Sequence, residues 1–163
     1  GWILGELCDN AHTHSEGACY LIIEPMPSEV TDTRFLTIAV GDIGIGIQNS
    51  LRKNDNYKQM SDEEAFAISF KSKVSRMEVE PKRGKGLNDI LSIAKGNSSW
   101  LRVESNSIGI FFDFRNANRS ISYVPPRSEA MGTRACIVLI DNEVKNFTRE
   151  EIDKVMDTFM ETV

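Results

Sequence analysis

The sequence predicts a single α/β domain built as a two-layer sandwich, in which a mixed, mostly antiparallel sheet is covered on one face by helices. Three observations lead there. Apolar residues recur at helical spacing near the start, in "LNDILSIAKG" and at the end of the chain. Between these stretches lie β-rich runs separated by turn residues, and glycines punctuate the joins. At 163 residues the chain is long enough for one real core and short for two.

Composition narrows the function classes. With 40% hydrophobic and 26% charged residues the chain is ordinary for a soluble protein, and no apolar run approaches the roughly 20 residues that span a bilayer. No membrane contact and no signal peptide are expected. A net charge of -5 and a pI near 5.1 argue against a basic nucleic-acid face, so no nucleic-acid partner is expected and any anionic ligand must be held locally. Cys8, Cys19 and Cys136 are an odd, sparse set without a CxxC, which points to a reducing, cytoplasmic setting.

The elements follow in order. Over 3–14, Ile3, Leu4, Leu7 and Ala11 mark a buried helical stripe, while Glu6, Asn10 and His14 stand one above another on a second face. The runs "ACYLIIE" (18–24) and "RFLTIAV" (34–40) predict a hairpin across a polar link containing Pro25, Pro27 and Asp32. "GDIGIGI" then breaks the strand. Residues 48–83 are polar, loop-rich and mobile in this reading, with one helix at about 62–70, and a lid is expected over 51–85. "GKG" opens the next helix, with Leu87, Ile90, Leu91 and Ala94 inward and Gly96 as its C-cap. "WLRVES" and "IGIFFDF" predict a second hairpin across Asn106-Ser107, and "TRACIVLI" a further buried strand. Thr148 and Glu151 form a capping box before an amphipathic helix over 148–162, whose stripe is Ile152, Val155, Met156, Phe159 and Met160. Packing of that stripe on the domain's own sheet is expected over a role in association.

Two nucleotide motifs fail on spacing. "GDIGIGI" lacks GxGxxG, because Asn49 occupies the third glycine's place, and "KRGKGL" lacks the P-loop pattern. Cys8, His12, His14 and Cys19 fit no standard zinc spacing either, and His12 falls off the polar face. What remains is an ordered series: "ELCDNA", "DIGIGI", "RGKGL" and the "GT" of Gly132 and Thr133. The series resembles the ATP-binding domain of the GHKL superfamily, the Bergerat fold shared by histidine kinases, gyrase B, heat-shock chaperones and MutL, over about residues 6–140.

The resemblance implies ATP and Mg²⁺ as ligands and gives each residue a role. Asn10 is the expected metal ligand, since an amide oxygen suits a hard cation. Glu6, one turn earlier, is the expected general base for water or a protein hydroxyl. Asp42 would accept a hydrogen bond from the adenine amino group and repel guanine's carbonyl. Gly44 and Gly46 would let the backbone approach the nucleotide. Arg83, Gly84, Lys85, Gly86 and Leu87 would form the phosphate-side helix start, His14 would border the phosphates, and Thr133 would lie beside adenine. A kinase-type domain passing the γ-phosphate to a histidine or serine of a protein partner is the leading expectation. An ATPase that switches conformation or dimerises, and a binding module without turnover, are the alternatives, and a homodimer is left open. Because only five residues precede Glu6, the chain is expected to be a fragment of something longer or a trimmed domain.

Overall fold

The computed structural model describes residues 17–71, 86–115, 120–124 and 131–141, together with positions 5, 8, 11, 12, 144 and 151. Six strands form one sheet: β1 (Cys19–Pro27), β2 (Arg34–Asp42), β3 (Trp100–Ser105), β4 (Ile108–Asp113), β5 (Ser120–Val124) and β6 (Thr133–Ile140). Their order is β1-β2-β6-β3-β4-β5, with every neighbouring pair antiparallel, so the mostly antiparallel expectation is met in its limiting form. Both predicted hairpins are present. The last strand lies in the middle, joining the β1–β2 hairpin to the β3–β4–β5 meander. β5, "SISYV", was not foreseen.

Among the described residues, three α-helices lie between β2 and β3 in sequence: α1 (Gly46–Leu51), α2 (Asp62–Ile68) and α3 (Gly86–Gly96). α2 begins at a full capping box, in which Ser61 Oγ accepts from Glu64 N and Glu64 Oε2 accepts from Ser61 N. The helix expected at about 62–70 is present as α2; Leu51, ahead of it in sequence, is buried, and Phe66 and Phe70 enter the core edge to face, with ring centroids 5.5 Å apart. Residues 72–85 lie outside the described residues.

One face of the sheet holds the core. Leu101, Val103, Ile110, Phe112, Ala135, Ile137 and Leu139 alternate with more exposed neighbours along β3, β4 and β6, as period-2 strands require. They meet Phe66 of α2, Phe70 just beyond it, and Ile90, Leu91, Ile93 and Ala94 of α3. Ala11, in helical conformation, also belongs to this core, as expected of it, and Cys8 packs against the core; Ile3, Leu4 and Leu7 of the expected stripe lie outside the described residues. On the other face Glu104 is buried between Arg102 (2.5 Å) and Arg134 (3.2 Å), and Arg115 lies 3.7 Å over the Trp100 ring.

The C-cap of α3 is not Gly96. That residue is the last helical one, and the left-handed position falls to Ser98 at φ 48°. Ser99 N donates to Ala94 O and Ser98 N to Lys95 O, the paired bonds of a Schellman ending, so the turn closes two residues later than the glycine suggests. Of the expected C-terminal helix only Glu151 is described, helical and exposed; the stripe 152–160 lies outside the described residues.

Candidate functional site

β2 ends at Asp42 beside the start of β6, where Gly41 pairs with Arg134. This corner holds a carboxylate almost out of solvent: Asp42 is 7% exposed. Its Oδ1 accepts from Gly44 N (2.8 Å) and from Thr133 N (3.2 Å), so the carboxylate bridges the loop after β2 and the first residue of β6. Burial pushes the Asp42 pKa above the ordinary carboxylate value. The two backbone hydrogen bonds and the charge of Arg134 offset that rise only in part.

Two glycines make the corner geometrically feasible. Gly132 has φ +96°, and a Cβ there would stand 2.1 Å from the Asp42 carbonyl oxygen. Gly46 has φ +81°, and its Cβ would meet Asn106 Nδ2 at 2.3 Å. The close neighbour that Gly46 admits is thus a side chain of the same protein, Asn106, at the turn between β3 and β4.

Behind Asp42 lies a polar network that the sequence did not announce. Gln48 of α1 is 1% exposed; its Nε2 donates to Ser105 O (3.0 Å), and its Oε1 accepts from Ser105 Oγ (2.8 Å). Ser105 Oγ accepts in turn from Ile47 N at 2.8 Å. Asn106 Nδ2 donates to Ile45 O (3.2 Å), and Asn106 Oδ1 accepts from Gly132 N (3.0 Å). A signal was available: Ser105 continues the inward series Leu101, Val103, so a polar residue occupies a core-facing register.

The structure therefore brings Asp42, Gly44, Gly46 and Thr133 together. Gly86 and Leu87 open α3, where Leu87 packs against the core rather than joining this network. Glu6, Asn10, His14, Arg83, Gly84 and Lys85 lie outside the described residues. Ile43 and Met131, at 66% and 67% exposed, flank Asp42 and Gly132 in sequence. No helix among the described residues is long and apolar enough to cross a membrane.

No protein-family model and no curated protein matches the chain. Solved structures do. The 43K ATPase domain of Thermus thermophilus gyrase B, in complex with an aminocoumarin, has 18% identity and a TM-score of 0.42, covering 94% of this chain and 37% of that one. The topoisomerase IV ATP-binding domain of Francisella tularensis, in complex with a small-molecule inhibitor, has 9% identity and a TM-score of 0.41, covering 99% of this chain and 76% of that one. The chain thus spans little more than a third of the gyrase chain.

Proposed function

We propose that this chain binds adenine nucleotides, with Asp42 reading the base. The observation that carries this reading is the buried Asp42 carboxylate itself, held by Gly44 N and Thr133 N, with apolar, exposed Ile43 and Met131 next to Asp42 and Gly132 in sequence. A buried acceptor rewards the exocyclic amino group of adenine and penalises the carbonyl oxygen of guanine, because leaving a buried polar group unmatched costs about 1–3 kcal/mol. Exposed apolar side chains such as Ile43 and Met131 would suit the faces of a purine.

In the same reading Asn10 would hold Mg²⁺ through its amide oxygen, and the 83–87 segment and His14 would border the phosphates. Bound Mg²⁺ would neutralise charge on the phosphate oxygens. Glu6 would act as the base toward a nucleophile on a protein partner, a histidine or serine receiving the γ-phosphate.

Calorimetry with ATP and GTP in the presence of Mg²⁺ tests the base assignment. ATP is expected to bind at least roughly tenfold tighter than GTP, and Asp42→Asn to weaken ATP roughly 10–100-fold. Equal affinities for the two nucleotides would sink it. Incubation with γ-labelled ATP then separates the turnover readings: label on a partner protein supports transfer, free phosphate supports the ATPase alternative, and neither supports a binding module.

A further inference from the structure

Asn106 sits in the left-handed region, at φ 50°, at the tip of the β3–β4 hairpin. Asparagine tolerates that conformation better than most residues, yet its side chain here does more than permit a turn. The backbone N–H of Asn106 donates to Gly132 O (3.0 Å), and its Oδ1 accepts from Gly132 N (3.0 Å), so a single residue grips both polar groups of Gly132. Its Nδ2 reaches the other way, donating to Ile45 O at 3.2 Å. One amide thus spans two separate segments. Those are the segments whose neighbouring N–H groups, Gly44 and Thr133, converge on Asp42 Oδ1. Gly46 and Gly132 both adopt positive φ, and a Cβ at Gly46 would collide with the Asn106 amide. Behind it, the Gln48–Ser105 pair fixes the hairpin to α1.

We infer that Asn106 is a positioning residue that sets base selectivity at this site: by fixing the spacing between the Gly44 and Thr133 donors, it orients the Asp42 carboxylate toward a purine edge. The inference rests on the adenine-binding reading for its ligand, and on hydrogen-bond geometry alone for its positioning part. Asn106 itself touches no reacting atom in this account. Its influence reaches a ligand only through Asp42.

The test uses two variants of the full chain. Asn106→Gly removes the side chain while keeping the left-handed turn accessible, and Asn106→Ser leaves an uncharged side chain too short to span Gly132 N and Ile45 O together. Asp42 titration is followed by carboxyl NMR in the nucleotide-free protein, and ATP and GTP affinities by calorimetry. Loosened N–H donors stabilise the ionised Asp42 less, so its titration midpoint is expected to rise in both variants. The ATP-to-GTP preference is expected to fall at least roughly fivefold, through weaker ATP binding, while circular dichroism stays that of the parent. An unmoved Asp42 midpoint in a folded variant overturns the positioning role. A shifted midpoint with an unchanged ATP-to-GTP ratio overturns the selectivity role. If one variant fails to fold, the other decides by the same criteria. Should the parent bind neither nucleotide, the adenine reading fails, and the midpoint in the empty variants still decides whether Asn106 positions Asp42.

Discussion

β6 and β1 are both apolar strands, and the fold treats them in opposite ways. β6, "TRACIVLI", pairs on both sides and alternates buried with half-buried residues. β1, "CYLIIEPMP", pairs among the described residues only with β2 and is exposed at every position, with Tyr20, Leu21, Ile22, Ile23 and Met26 between 44% and 48% accessible. Similar patterns can thus have different burial, because the position of a strand in the sheet is decided by pairing partners remote in sequence. Hydrogen bonding explains one detail of β1. Ile43 N donates to Ala18 O and Ser28 N to Thr33 O, so even-numbered residues of the strand face β2. Odd-numbered Pro25 and Pro27 turn their missing N–H toward the outer edge. There no ladder bond is lost, and an approaching strand finds a donor missing.

Substitutions can sharpen or break this contrast. The largest effect is expected at Ile137 in β6, fully buried in the core: Ile137→Ala should cost roughly 3–4 kcal/mol in urea unfolding. Gly132→Ala should follow at roughly 2–3 kcal/mol, since φ +96° is strained for alanine and its Cβ would press on the Asp42 carbonyl. Leu21→Ala in β1 should cost about 1 kcal/mol or less. A loss at Leu21 equal to that at Ile137 would show that something covers β1 in solution and would break the comparison.

The smallest expected effect concerns pH. Because burial raises the Asp42 pKa, the folded chain binds that proton more tightly than the unfolded one. Stability from this group is therefore present at low pH and is lost as pH rises from the ordinary carboxylate value through the raised folded one. Asp42→Asn should accordingly melt slightly higher than the parent at pH 7, with the advantage fading below about pH 4. A lower melting temperature at pH 7 would contradict the burial argument. Under the proposed function, the change that weakens ATP binding would thus modestly strengthen the fold.

Much of this architecture was legible because its signals are local. Alternation with turn residues marked both hairpins and β6, and helical spacing marked 86–96. The α2 capping box was also legible at Ser61 and Glu64, and only the helix, not its cap, was read. Asp42 and Thr133 came from motif order, and the structure adds their hydrogen-bonded contact across 91 residues of chain. Other features were hidden for physical reasons. α1 has only six residues and begins in a glycine-rich break, too short for periodicity to register. "SISYV" mixes serine with apolar residues in a five-residue strand. The Asn106 contacts join three distant segments, so spacing along the chain carries no trace of them.

The central place of β6 has a consequence for the order in which the molecule assembles. Each hairpin closes over a short loop and can form early, but β6 must find β2 after most of the chain has intervened, as the pairing of Ala39 with Cys136 shows. Closing so long a loop is the slow, high-contact-order part of folding. Thr133 is the first residue of β6, so the Asp42 corner comes into existence only at that closing step. A nascent chain released before β6 emerges would carry Asp42 on a strand with no Thr133 to meet it. Closure of this corner therefore arrives together with the last long-range pairing, and burial of the Asp42 carboxylate should trail hairpin formation in a refolding time course.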